Sequence, residues 1–268
     1  IHLLIYDNFL RTNSAMKYLP CSPKLFITLS LCIFSQILIG QDYRGQDISA
    51  MNLSGMDLSA AQFDQTTVFS SLNPNTGQYQ GVNLSGTNVV LSGMAGPLDF
   101  RAVNLAGVSF IYSDLSAAQF DQTTIFSFLN PNTGQQQGVN LSGTNATLTG
   151  LTGMIDFRGV NLAGVSFSAS DLSIAQFDQT TIFSFLDPNS GQQQGVNLSG
   201  TNAMLTGLSG NIDFRGVNLA GVSFTNSELS SAQFDQTTIF SFLDPYTGQQ
   251  QGVNLSGTNA MLTGLSGN

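Results

Sequence analysis

The chain has 268 residues, of which 9% are charged and 41% hydrophobic. That apolar content is too high for a disordered chain, and the 28 glycines imply frequent turns. The net charge of −9 repels a phosphate backbone, so no direct nucleic-acid binding is expected.

The sequence starts at Ile1 and its first methionine is Met16. Residues 1–15 therefore read as an upstream or disordered extension. Met16, Lys17 and Lys24 precede an apolar run of 16 residues, Leu25–Gly40, which is the pattern of a secretory signal peptide. The run is short for a bilayer span, so an uncleaved anchor is the lesser alternative. Cleavage after Gly40 predicts a mature chain starting at Gln41, extracytoplasmic (secreted, periplasmic or cell surface) and not membrane-spanning. From Gln41 onward 15 acidic residues stand against Arg44, Arg101, Arg158 and Arg215, a balance of −11. Cys21, Cys32 and the single histidine, His2, all precede residue 41. The remainder thus has no disulfide, no Cys or His metal ligand and no imidazole base.

Two nested periods organise the rest. The long one is 57 residues: Tyr43, Phe100, Phe157 and Phe214 recur at that interval, as do Pro74, Pro131, Pro188 and Pro245. Four modules follow, 42–98, 99–155, 156–212 and 213–268, the last one residue short and without a distinct cap, which suggests a truncated sequence. The short period is five. In the third module Phe157, Leu162, Phe167, Leu172, Phe177 and Ile182 read as evenly spaced centres. A small or β-branched residue stands two before each: Ile155, Val160, Val165, Ser170, Ala175 and Thr180. Five matches neither the strand period of two nor the helix period of 3.6. A chain that turns a corner every five residues keeps this pattern on one side.

Strings such as VNLAG, SDLSI, VNLSG and DFRGV resemble the pentapeptide-repeat family, and the resemblance covers everything after residue 41. It implies an all-β fold, a right-handed quadrilateral β-helix with one pentapeptide per face and four per coil. It also implies that Phe157, Leu162 and Val160 line the interior while Asp156, Arg158 and Gly159 face out. Each buried Leu or Phe then contributes roughly 1.5–3 kcal/mol, and coils stack about 4.8 Å apart, so stability approaches a nearest-neighbour sum.

Each module breaks the pattern after its sixth pentapeptide. In the third, residues 183–195 read FSFLDPNSGQQQG, a turn signal between alternating residues. This predicts a short β-hairpin or Ω-like loop leaving the wall. Resuming the pentapeptides at Leu198, Leu205 and Phe214 leaves eight faces per module, or two coils. Modules would then stack in phase, with all four loops on the same face. A competing phasing, with Ala203 and Leu208 as face centres, changes the coil count.

Catalytic constellations are missing, because no His or Lys accompanies the Ser, Thr and Asp of the repeats. Asp156, Asp171 and Asp178 read as solvated surface charge, and Asp-Phe-Arg as a surface ion pair. Calcium would need a denser oxygen cage. The Asn-Leu-Ser sequons at Asn52, Asn83, Asn140, Asn197 and Asn254, and Asn145-Ala-Thr, follow from the repeat motif itself. No enzyme activity, cofactor or metal is expected. The exposed loops supply the candidate partner-contact residues Pro74, Gln78, Pro131, Gln135, Pro188, Gln192, Pro245 and Gln249, repeated four times as for avidity. The expected function is an exported, non-enzymatic scaffold or interaction solenoid. Its partner is an unknown macromolecule, a protein or cell-surface component, and end-to-end self-association stays open. The family suggests an alternative, since some members mimic DNA and bind type II topoisomerases through an acidic face.

Overall fold

The structure is a computed structural model that describes residues 41–260 and 262 except 88, 132, 245 and 246. The segments expected to be an extension (1–15) and a signal peptide (16–40), with Pro245 and the C-terminal end of the last module, lie outside the described residues.

The corner begins with the polar residue before each inward Leu or Phe. Its side-chain oxygen accepts the backbone N–H two residues on: Asn140 Oδ1 takes Ser142 N at 3.0 Å, and Asn161 Oδ1 takes Ala163 N at 3.1 Å. This local bond offers the backbone a turn in place of a continued strand. A carbonyl-to-amide bond then closes the corner, as in Val165 N to Leu162 O at 2.9 Å. The inward residues are shielded almost completely: Val160, Leu162, Phe157 and Leu172 are at 0% exposure. The result is an all-β quadrilateral β-helix, with no helix among the described residues.

The strands are three residues long and alternate between two kinds of pair. In chain order β1 (Ser70–Leu72) pairs antiparallel with β2 (Tyr79–Gly81), and β3 (Val90–Ser92) parallel with β4 (Ser109–Ile111). The second module repeats this: β5 (Ser127–Leu129) with β6 (Gln136–Gly138) antiparallel, β7 (Thr147–Thr149) with β8 (Ser166–Ser168) parallel. The third has β9 (Ser184–Leu186) with β10 (Gln193–Gly195) antiparallel and β11 (Met204–Thr206) with β12 (Ser223–Thr225) parallel. β13 (Ser241–Leu243) and β14 (Gln250–Gly252) form the last antiparallel pair. Parallel pairs and single bridges join successive coils; the antiparallel pairs are hairpins that leave the wall.

The register corrects three expectations. First, Ile182 is not an inward centre: it is 44% exposed, whereas Phe183 is 1% exposed. The corner before it is one residue wider. Thr181, not Thr180, turns inward; its Oγ1 donates to the Phe157 carbonyl at 3.0 Å and accepts Asp178 N at 3.2 Å. Second, a module has nine faces, not eight. Leu205 is a face centre, paired with Phe224. A further face follows at Ser209, which bridges Glu228, with Leu208 and Ile212 buried on either side. Gly210, at φ 92°, takes the central place there, and a glycine is missed by a search for large apolar centres.

Third, nine faces are two coils and one face, so the modules do not stack in phase. Asn83 leaves the first hairpin and stacks through Asn104 on Ile125, which enters the second. Asn140 leaves the second and stacks through Asn161 on Ile182, which enters the third. Asn197 leaves the third and stacks through Asn218 on Ile239, which enters the fourth. Each hairpin crosses from one face to the next, so each emerges a quarter turn after its predecessor. The advance along the axis is about 11 Å per module at a coil spacing of about 4.8 Å.

The aromatic core follows the same spiral. Phe100, Phe120, Phe126, Phe157, Phe177, Phe183 and Phe214 form an unbroken ladder with centroids 5.2–6.0 Å apart. Phe110, Phe167 and Phe224 meet it edge-on at each module's first ring.

Candidate functional site

The hairpins are the candidate site. A tip spans six residues: Asp187 N donates to Gln192 O at 2.9 Å and Gly191 N returns to Asp187 O at 2.8 Å. Gly191 sits at φ 67°, the left-handed conformation that closes the turn. Asp187 organises the loop: its carboxylate accepts Asn189 N at 2.9 Å, Ser190 Oγ at 2.8 Å and Gln194 Nε2 at 3.3 Å. The Asn189 backbone N–H and then the Ser190 hydroxyl hold its carboxyl below the usual carboxylate range.

Pro74, Gln78, Pro131, Gln135, Pro188, Gln192 and Gln249 are all exposed. They sit at the tips, but the quarter-turn register places the tips at four different corners. The structure therefore brings no two of these sets into one ridge. The other glutamines of the QQQ run do not sit at the tip. Gln193 Nε2 donates to Ser184 Oγ at 2.8 Å and to Asp213 Oδ2 at 3.0 Å, and so is tied to the following module. An exposed leucine flanks each tip (Leu72, Leu129, Leu186, Leu243), and sequence reading missed it. Its alternation with the half-buried Phe185 is visible in FSFL, and only the hairpin decides which of the two faces solvent.

Elsewhere the polar groups serve the turns. Asp42, Asp99, Asp156 and Asp213 pair with the arginines two residues on at 2.6–2.7 Å, each with a second bond to the guanidinium Nε. The Arg44 pairing, together with the Arg44 backbone N–H, lowers the Asp42 pKa to about 2. Asp171 is held by Ser173 and lies on a different face from Asp156, so the three aspartates do not converge. No group of three or more metal-binding side chains occurs among the described residues. Two shallow grooves, of about 400 and 350 Å³, lie beside Arg158 and Arg101. No described helix is long and apolar enough to cross a membrane.

Set against known proteins, residues 211–239 match the model of Pentapeptide repeats (8 copies), and the same module recurs at 57-residue intervals from Asp42. The chain carries pentapeptide repeats. Among solved structures, this pentapeptide-repeat chain is similar to HetL, a pentapeptide repeat protein involved in heterocyst differentiation regulation from the cyanobacterium Nostoc sp. strain PCC 7120. The two are 17% identical over 82% of this chain and 90% of that one, with a TM-score of 0.28. It is also similar to trypsin-treated QnrB1, a plasmid-mediated fluoroquinolone resistance protein, at 14% identity over 81% and 84% of the two chains and a TM-score of 0.29. A comparison with curated proteins finds no match.

Proposed function

We propose that this pentapeptide-repeat chain is an exported, non-enzymatic scaffold whose hairpin tips contact separate partner molecules around a rigid shaft. The observation that carries the reading is the register. Near-identical tips are offered in four directions, at quarter turns and about 11 Å steps along the axis. A flat partner surface meets one tip, or two at adjacent corners, so the geometry favours bridging of several partners over avidity on one face. The open grooves and turn-bound carboxylates support a binding role over catalysis, which needs a shielded site. Export is supported by the leader-like pattern of residues 16–40.

Two measurements test this. N-terminal sequencing of the expressed protein should find Gln41 on extracytoplasmic material. A cytoplasmic product that retains Met16 would overturn export and favour the DNA-mimic alternative. Light scattering of the chain with a partner recovered from the extracytoplasmic fraction should show more than one partner per chain. A strict one-to-one complex, unaltered when Pro131 and Pro188 tips are replaced by glycine-serine, would overturn bridging through the tips.

A further inference from the structure

We propose that the lower part of each hairpin is a clamp between modules, which couples coils that a plain solenoid would leave independent. In a stacked repeat each coil touches only its neighbours. Here one hairpin reaches in both directions along the axis.

Towards the N-terminus, the ring of Phe128 and the amide of Gln137 cover the corners at Gly86 and Gly107. A Cβ placed on Gly86 would meet both at 3.9 Å, and one on Gly107 would meet the Gln137 oxygen at 3.9 Å. These corners belong to the two coils before the hairpin. The next hairpin repeats the contact: Gln194 Oε1 lies 3.1 Å from a Cβ placed on Gly164, and Phe185 Cζ lies 3.9 Å from one placed on Gly143.

Towards the C-terminus, the hairpin base sits on the first corner of the following module. Ser127 Oγ donates to the Arg158 carbonyl, and Gln136 Nε2 donates to Ser127 Oγ at 2.7 Å and Asp156 Oδ2 at 3.0 Å. Ser184, Arg215, Gln193 and Asp213 repeat the arrangement. The approach is close enough to exclude any side chain. A Cβ at Gly138 would lie 2.3 Å from the Gly159 backbone, and one at Gly195 would lie 2.2 Å from that of Gly216. The first junction uses a different lock with the same ends. There Tyr79 replaces the clamping glutamine, and the Arg101 guanidinium lies 3.8 Å from its ring centroid.

One clamp thus ties two coils before it to one after it. Its residues in the GlnGlnGlnGly run therefore hold the array together, and only the tip remains for partners.

Hydrogen exchange on the full chain tests this with Gln193→Ala, which removes the bond to Asp213 without filling space. Losing a hydrogen bond to a charged group should lower protection on the order of tenfold. The clamp requires that loss at Phe214 and Val217 in the next module as well as in β9 and β10. Gly195→Ala should act more strongly at the same amides, whereas Gly252→Ala, where nothing lies within 4 Å, should leave its surroundings unchanged. Protection lost only within 184–195 in Gln193→Ala, with Phe214 and Val217 at wild-type levels, would overturn the clamp.

Discussion

At the residue scale, the aspartates and asparagines of the motif act on the backbone beside them. Asn140 accepts both Ser142 N and Ser142 Oγ, at 3.0 and 2.8 Å, and its own amide reaches Ser109 Oγ at 3.4 Å. Its sequon is thus a turn whose donors and acceptors are already engaged. The same bonding pulls Asp57, Asp114, Asp171 and Glu228 below their ordinary pKa, mainly through serine side chains and amides two residues on. A depressed folded pKa stabilises the fold above the unfolded value and loses that contribution as pH falls through the folded one. A plot of melting temperature against pH should therefore be level above about pH 5 and descend below about pH 4. A chain equally stable at pH 3 and pH 7 would contradict this. Ala102 offers a second test. It holds φ 60° where its counterparts are Gly45, Gly159 and Gly216. An L-residue there costs roughly 1–2 kcal/mol, so Ala102→Gly should stabilise by about 1 kcal/mol in urea unfolding. A loss of stability would show that the alanine side chain packs usefully.

At the element scale, the corner from Asp178 to Thr181 shows how one residue resets a face. Its extra residue turns Thr181 inward and moves Ile182 to the outside, so Phe183 enters the core. The buried Thr181 hydroxyl satisfies both the Phe157 carbonyl and Asp178 N–H. Thr181→Val keeps the volume and leaves those groups unpaired, at a cost of about 1–3 kcal/mol. Thermal unfolding should show this loss, and an unchanged melting temperature would mean that water replaces the hydroxyl. Ser170 has a similar duty beside the irregular segment: its Oγ accepts Leu151 N at 3.0 Å and donates to Leu148 O at 3.2 Å. The hairpin was legible from Pro188 and Gly191 between FSFL and QQQ. Its clamp was not, because Gln193 and Asp213 are 20 residues apart and meet only when the coils stack.

At the scale of the whole molecule, the aromatic ladder and the hairpins share one quarter-turn pitch, since both follow the nine-face module. Deleting residues 156–212 joins Ile155 to Asp213 and recreates the junction already present between Ile212 and Asp213. The shortened chain should fold, and small-angle scattering should show a particle about 11 Å shorter. A collapsed or aggregated product would mean that the modules are not interchangeable. By itself the sequence determined the pentapeptide corners, the 57-residue modules and the hairpins, because each depends on bonds between residues a few positions apart. The tertiary structure alone decided the phase. Whether Ile182 or Phe183 turns inward, and whether Gly210 makes a face, depends on pairing with Asn161 and Glu228 on neighbouring coils. One added face per module is small in sequence, yet it carries the four tips round to four sides of the shaft.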